Sequence, residues 1–525
     1  MTDKVHDKHM SIFKWSWVLF MIAATSVPYL VNFLSTPPGY QYSWILPPYP
    51  EDLLAYMSWS QQAASGSILF KLKYTALSHT AFLLHPIFLL FGLISSWCGL
   101  DVKIVHFVMK SIGVILFWLI FFRYIAYLKL NYFESIVTSI LVGISSGFGW
   151  LADILGVYHE SADLWIPGAN TYFSFLWNPL YPYCYALIIL VVYLLDRGTQ
   201  FVKPSYSWLS GLLVGILAFI HPYNIPLLYT LAMLVMFIRL RSRVTGFLLS
   251  FLVSSLPFVL IEFLISKFHP LASQHSLQGN MPSPPLVAYF FGFGLPLFFI
   301  GAGIMIDKIK FIKKYFIFFL WIFISMILSY IPFWFQRSCI FAVHVPISLL
   351  AGLSLNLITL KLIHAKVKIW ILFCSMLIIL PLLVSTQIYI LIDQWTVVRI
   401  DEYGYYFISD SLINGMKFIK KSSKPNDIVF ASVHTSSLIP AFSGNTVVWG
   451  HWAMSVDYQD RIKWYNSIIK RKSGEYTYRQ FRESGIKYIF LDGIDKQNFI
   501  HGEAMWQVTG ARKVFENDEV IIYRE

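Results

Sequence analysis

Long apolar runs separated by short polar segments set the pattern of this chain. The first run covers about 15–34, and others lie at about 81–99, 104–123, 133–153, 175–195, 207–221, 223–238, 244–266, 285–306, 315–335, 339–360 and 369–392. Most approach the roughly 20 residues that a helix needs to cross a hydrocarbon core of about 30 Å. Their unbroken apolar character points to spanning helices, not to the two-residue alternation of a membrane barrel. From about residue 394 the pattern changes. Short apolar stretches at 427–431, 446–449, 487–491 and 519–523 read as strands. Helical spacing lies between them at 405–421 and 478–484. Strands alternating with helices predict a small α/β domain that ends in a hairpin around Asn517 and Asp518.

Charge decides which runs cross the bilayer. Lys4, Lys8 and Lys14 precede the first run, which is too long for the apolar region of a secretory leader and has no small-residue cleavage site after it. It is read as a retained helix with its N-terminus inside. The run 81–99 sets the parity of everything downstream. If it lies at the outer interface, the inside loops hold Arg123 and Lys129; Arg197 and Lys203; Arg239, Arg241 and Arg243; Lys308, Lys310, Lys313 and Lys314; and Lys361, Lys366 and Lys368. The outside loops then keep only Lys71, Lys73, Lys103, Lys267 and Arg337. If 81–99 crossed, every later loop would invert against the positive-inside rule. The segment is therefore expected to be re-entrant or interfacial, which suits His85-Pro86 and Gly92. The expected architecture is a polytopic α-helical membrane domain over 1–393 with eleven spans. A first outer loop, 36–103, carries interfacial helices, and an extracytoplasmic α/β domain covers 394–525. Further outer segments are 154–174, 267–284 and 333–338.

Composition narrows the class. Hydrophobic residues make up 57% of the 525 residues and charged residues 13%, about half the charge of a typical soluble domain. That excludes a disordered chain, a disulfide scaffold and an ordinary cytosolic enzyme. The net charge of +12 is a topology signal; no basic stripe interleaved with aromatics supports nucleic-acid binding. Cys98, Cys184, Cys339 and Cys374 lie in or beside apolar segments without metal-ligand spacing. No glycine-rich phosphate loop, His-Glu-x-x-His or Gly-x-Ser-x-Gly appears. No fixed-period repeat supports an inverted-repeat transporter.

The chemistry-bearing residues gather in the outer segments. Pro50-Glu51-Asp52 opens an amphipathic stretch running through Tyr56, Trp59, Gln61 and Gln62. Acids in a first helical turn complement the helix dipole, and that alone accounts for the pair. Asp52 and Tyr56 also share a helix face, and a carboxylate in a half-apolar cleft is suited to taking a proton from a hydroxyl. A second acidic segment holds Asp153, Glu160 and Asp163 with no Lys or Arg from 153 to 167. Solvated acids account for it, as does a pocket that positions a hydroxyl or a divalent cation. Their spacing matches no metal motif, so a cation is optional. Lys110 falls in the outer third of a span, near Lys103 and His106; either it serves function or it snorkels to the headgroups. With Arg337 it could meet a lipid phosphate. Lys71 and Lys73 read as solvated or at headgroups. His221, before Pro222, reads as a helix break or a substrate contact. Ser276, Gln278 and Asn280 offer a weak hydroxyl-binding signal. Trp59, Trp150, Trp165 and Trp177 read mainly as an interface belt, with stacking on sugar rings the alternative for a minority.

Taken together, the N-in first helix, the acidic first loop with Asp52-x3-Tyr56, the interfacial helices, the dozen or so spans and the outer C-terminal domain resemble the GT-C superfamily. These are integral-membrane glycosyltransferases that include protein O-mannosyltransferases, lipid A aminoarabinose transferases and Rgt-type core-sugar transferases. The resemblance covers roughly 15–360. It implies that Asp52 acts as base or holds the acceptor, although Glu51-Asp52 departs from the commoner Asp-Glu order. It matches His85-Pro86 to a Lys-Pro or His-Pro segment, Asp163 to a second acid, and Lys110 to a cation opening the second span. The tail with Gly450-His451-Trp452 resembles tails of a further bacterial branch.

The resemblance implies an inverting sugar transfer at the outer face of a bacterial inner membrane. The donor is a polyprenyl-phosphate sugar, and the acceptor a hydroxyl of a glycan, lipid or protein. Asp52, Glu51 and Asp163 are the expected catalytic acids. Tyr56, His85, Lys110, Glu160, His221 and Arg337 are expected to bind substrate. Two other classes stand beside this one: a transporter or flippase of lipid-linked glycan, and an envelope assembly protein that binds partners through its tail.

Overall fold

The computed structural model describes residues 2–273, 281–401, 404–469, 483–493 and 511–525. Ser276, Gln278 and Asn280, and most of the helix expected at 478–484, lie outside the described residues. Helices α1 (Thr2–Leu34), α2 (Pro50–Ala64), α3 (Pro86–Cys98), α4 (Val102–Tyr127) and α5 (Tyr132–Ile144) are followed by the short α6 (Gly149–Ile154), α7 (Ala162–Trp165) and α8 (Thr171–Trp177). Then come α9 (Tyr181–Gln200), α10 (Pro204–Ile220), α11 (Ile225–Leu240), α12 (Val244–Phe268), α13 (Leu286–Lys314), α14 (Phe316–Leu328), α15 (His344–His364) and α16 (Ile369–Ile400). The tail adds α17 (Asp410–Ser422), α18 (Val433–Phe442) and α19 (Tyr458–Ile469). The strands are β1 (Tyr40–Tyr42), β2 (Phe407–Ser409), β3 (Ile428–Phe430), β4 (Thr446–Val447), β5 (Ile486–Leu491), β6 (Arg512–Glu516) and β7 (Ile521–Arg524).

Eight helical stretches among the described residues are long and apolar enough to cross a membrane, one of them containing both α11 and α12. The apolar helices α3, α10 and α14 are shorter, at 13, 17 and 13 residues. The protein is a polytopic α-helical membrane protein with a C-terminal sheet domain. Its residues divide into two compact units. The first comprises 1–28, 109–264 and 280–395, and the second 29–108, 265–279 and 396–525.

In the first unit the helices pack around large buried side chains such as Trp118, Tyr124 and Trp321. A part-buried ion pair fixes one end of the bundle. Arg239 meets Asp196 at 2.5 Å, and the Tyr124 hydroxyl donates to the same carboxylate at 3.1 Å. Paired and hydrogen-bonded, the two charges tolerate burial. The apolar run 133–153 is broken between α5 and α6. There the Ser146 and Phe148 amides bond to the carbonyls of Leu383 and Phe291, both at 2.7 Å. Gly147 sits so close that a Cβ would lie 1.9 Å from the Phe291 carbonyl oxygen.

In the second unit the described residues form a five-stranded sheet with the order β4-β3-β5-β7-β6. β3 lies parallel to β4 and β5, and the antiparallel pairs β5–β7 and β6–β7 include the expected terminal hairpin. Phe430, Trp449, Ile486, Ile489 and Leu491 form its core with Trp464 and Tyr465 of α19. The helix expected from 405 begins instead at Asp410. Its predecessors form β2, the Asp401 carboxylate accepts the amides of Tyr405, Tyr406 and Phe407, and the Ser409 hydroxyl caps Leu412 at 3.1 Å. A three-residue antiparallel ladder joins β2 to β1 of the first loop. A second tie corrects the solvated reading of Lys73. It is 3% exposed and donates to the Pro425 carbonyl at 2.6 Å, while its own carbonyl accepts the Val447 amide at 2.8 Å. Burial pulls its ammonium down to about 8. α3 lies directly on α2, where a Cβ at Gly92 would fall 2.3 Å from that of Ala63 and 2.4 Å from the Ser60 carbonyl oxygen.

Candidate active site

The helix α2 begins at Pro50, whose fixed φ suits a first helical position and whose missing amide costs nothing there. Glu51 and Asp52 follow in the first turn, and both are half-buried. The Asp52 side chain is 35% exposed, and its Oδ1 lies 2.9 Å from Nε2 of His451. His451 is 2% exposed, and its Nδ1 accepts the Ala453 amide at 3.1 Å. An imidazole nitrogen that accepts an N–H carries no proton, so the neutral ring bears its hydrogen on Nε2 and donates it to Asp52. The turn that presents His451 is tight. A Cβ at Gly450 would stand 2.7 Å from the Tyr74 ring and 2.8 Å from the Ser436 carbonyl oxygen, and the Gly450 amide bonds to Ser455 Oγ at 3.1 Å. Trp452 is 46% exposed, with its ring nearly parallel to that of His451 at 6.2 Å.

The neighbouring Glu51 accepts from the Tyr405 hydroxyl at 3.2 Å. Burial, then the Glu51 charge, hold that phenol well above its usual range. Tyr405 packs edge-on against His434 at 4.7 Å, and burial depresses His434 to about 4. One turn after Asp52, Tyr56 stacks on Phe88 at 4.7 Å. His85 stacks on the same ring at 4.2 Å and caps α3 by accepting the Phe88 amide at 3.4 Å. Trp59 completes this stack at 8% exposure, and Trp177 is 2% exposed. These two tryptophans are buried among other side chains and do not form an exposed interface belt.

The first unit carries the remaining predicted residues. Asp163 is 1% exposed; Ser161 Oγ donates to Oδ1 at 2.7 Å and the Gly147 amide to Oδ2 at 3.0 Å. Burial raises this carboxyl to about 6, against those hydrogen bonds. A Cβ at Gly149 would come within 2.2 Å of Oδ1, so the carboxylate seals the break between α5 and α6. Two residues on, the Trp165 ring carries the Arg337 guanidinium at 4.4 Å. His221 lies 4.4 Å from Phe341 and 2.9 Å from the Asn224 amide nitrogen. The Gly168 carbonyl accepts the Ala342 amide at 2.9 Å. The segments of Asp163, His221 and Arg337 thus assemble at one end of the bundle. Lys110 is 1% exposed and donates to the Thr25 carbonyl at 2.5 Å, so it does not snorkel. Glu160 is exposed, and Asp153 bonds to His159 at 2.5 Å and to the Tyr389 hydroxyl.

Among the described residues no group of three or more His, Cys, Asp or Glu side chains is placed to hold a metal ion. Asp52 is held by the His451 ring, and Asp163 by the Ser161 hydroxyl and the Gly147 amide; no step below is routed through a metal ion.

No family model and no curated protein sequence matches the chain. Solved structures do. The oligosaccharyltransferase of Archaeoglobus fulgidus tethered with an acceptor peptide containing the NVT sequon aligns over 94% of this chain and 70% of its own, with TM-score 0.51 and 10% identity. Its apo form aligns over 94% and 71%, with TM-score 0.50 and 12% identity. The chain has the GT-C fold. A third GT-C structure, ArnT from Cupriavidus metallidurans bound to undecaprenyl phosphate, aligns over 97% of this chain and 98% of its own at TM-score 0.49 and 12% identity.

Within this GT-C fold, sequence reasoning missed His451, Tyr405 and Tyr74 as neighbours of the acidic pair. Gly450-His451-Trp452 was the available signal: a glycine before a histidine in a strand-rich tail marks a tight turn. What it could not supply was the partner, 399 residues away.

Proposed function

We propose that the protein is a glycosyltransferase that moves a sugar from a polyprenyl-phosphate carrier to an acceptor hydroxyl at the outer face of the cytoplasmic membrane. The observation that carries this reading is Asp52, half-exposed at the start of α2 and held through one oxygen by His451. With Oδ1 engaged, Oδ2 is the oxygen that meets the acceptor. It takes the hydroxyl proton as the acceptor oxygen attacks the anomeric carbon. The bond from that carbon to the phosphate oxygen breaks, and its electron pair leaves with the phosphate. The single displacement inverts the anomeric centre.

The neutral His451 donates throughout and keeps Asp52 in one rotamer. Exposed Trp452 beside it offers an apolar face to a sugar ring. Tyr56 and His85 shape the wall behind the acceptor through their shared stack on Phe88. Arg337, flat on Trp165, belongs to the first unit and is given no step in this chemistry. Lys110, committed to the Thr25 carbonyl, is assigned instead to holding α4 on α1. Asp163 keeps the α5–α6 break closed. A lipid-borne donor fits a membrane enzyme without a nucleotide-binding loop, since the sugar arrives already activated.

The test is transfer of labelled sugar from a polyprenyl-phosphate donor by purified Asp52→Asn. Loss of transfer with donor binding kept supports the reading. Wild-type turnover by that variant overturns the assignment of Asp52, and lipid-glycan translocation without transfer by the wild-type protein favours a flippase.

A further inference from the structure

A cleft lies in the same unit as Asp52, on another face of α2. It is a cavity of about 320 Å³ whose lining includes Lys103, Lys417 and Lys420, with Asp101 as the single acid. Met57 and Gln61 supply the α2 wall. They follow Asp52 by five and nine positions, which at about 100° per residue puts them roughly 140° and 180° around the helix from it. The cleft therefore opens away from the Asp52–His451 pair and needs no part of the proposed chemistry.

Three features give its ligand a chemical class. The first is charge. Lys417 and Lys420 stand one turn apart on α17, and Lys417 is close enough to act on the charge of Lys103. Asp101 is the only counter-charge in the lining; it lies 4.0 Å from Lys103 and its side chain is 56% exposed. Three like charges around a cavity repel one another unless an anion fills it. The second is depth. Lys103 is the second residue of α4, a helix able to span the membrane, so the rim sits where a span ends and headgroups begin. The third is the mixed wall. Met416 and Phe442 are apolar, with the Lys103 ammonium 6.0 Å from the Phe442 ring, whereas Gln41 is oriented by its 2.8 Å hydrogen bond to Asp410. Free phosphate needs no apolar wall, whereas a lipid headgroup with its glycerol or prenyl stem does.

We propose that this cleft binds the phosphate of an anionic lipid at the membrane surface, with Lys103, Lys417 and Lys420 as its cationic contacts. Two lipids share that chemistry, a bilayer phospholipid and a polyprenyl phosphate, and the experiment separates them.

The full-length protein is purified in a neutral detergent. Retention is measured by native mass spectrometry and by titration with phosphatidylglycerol, phosphatidylcholine, undecaprenyl phosphate and inorganic phosphate. The comparison variant is Lys417→Glu/Lys420→Glu, whose sites are exposed on α17. Each lysine near a membrane surface contributes about 1 kcal/mol toward an anionic lipid, so losing the two cations, before the added carboxylates are counted, weakens binding by at least about thirtyfold. Preference for phosphatidylglycerol over phosphatidylcholine, lost in the variant, identifies a bilayer headgroup site. The same pattern with undecaprenyl phosphate alone identifies a carrier-lipid site. Equal retention of both anionic lipids by wild type and variant overturns the proposal, as does binding of inorganic phosphate with neither lipid retained. Lys103→Gln, which replaces a single partly buried cation, repeats the measurement should the double variant not fold.

Discussion

The link between His451 and Asp52 makes the sharpest demand on the proposed mechanism. The ring is buried, its Nδ1 is occupied by the Ala453 amide, and its Nε2–H reaches Asp52 at 2.9 Å. A hydrogen bond to a charged group contributes about 1.5–3 kcal/mol. If that bond orients Asp52 in the transition state, removing it lowers kcat by roughly ten- to a hundredfold. Two replacements divide the roles of the ring. His451→Phe keeps its bulk without a donor, and His451→Gln keeps an N–H donor on a shorter, less filling side chain. The assay is steady-state transfer from a polyprenyl-phosphate donor to a hydroxyl acceptor, with kcat and KM separated and melting temperatures measured alongside. The expected result is a large fall in kcat for Phe, a smaller one for Gln, and little change in donor KM for either. A Phe variant that turns over like wild type refutes the argument. So does a Gln variant as impaired as Phe, since His451 would then matter through its shape alone.

Two further outcomes follow from the same geometry. Burial raises Asp163 to about 6, above its unfolded value of about 3.9, so its contribution to stability is fully present below about pH 3.9 and is lost as pH rises through 6. About two pKa units correspond to about 3 kcal/mol, and Asp163→Asn should flatten that stretch of the curve in detergent melts; an unchanged slope refutes the assignment. Gly450→Ala forces a methyl to 2.7 Å from Tyr74 and 2.8 Å from a carbonyl oxygen, so the turn must shift. Transfer should fall at least as far as in His451→Phe, and a variant with wild-type activity shows that the turn does not set the Asp52 contact.

What the sequence revealed was local, because local spacing is what it encodes. The apolar runs mark the helices, and 427–431, 446–449, 487–491 and 519–523 each contain or overlap a strand. The dipeptide His85-Pro86 marks a helix start, which the imidazole of His85 caps. The acidic pair before Tyr56 placed two carboxylates on one helical turn. What stayed hidden depends on contacts between distant segments. Strands β1 and β2 have three residues each, too few for alternation to show, and their partners are more than three hundred positions apart. Lys73 reads as solvated until the carbonyl of Pro425 and the amide of Val447 arrive to bury it. The interface reading of Trp59 and Trp177 failed for a related reason. Composition cannot tell an aromatic at the end of a span from one inside a helix junction.

These distant contacts share a direction. The β1–β2 ladder, the buried Lys73 and the His451–Asp52 pair each join the loop after α1 to the tail after α16, and both segments belong to one compact unit. A small sheet domain tethered only by its chain would have no reason to bury a lysine against a neighbouring loop, because desolvating an ammonium is costly unless its hydrogen bonds are replaced. Here they are replaced by the carbonyl of Pro425, the side-chain oxygen of Asn426 and the hydroxyl of Thr446. The tail therefore acts on the site through position. It fixes the loop that starts α2, and it supplies the imidazole that holds the carboxylate at the head of that helix.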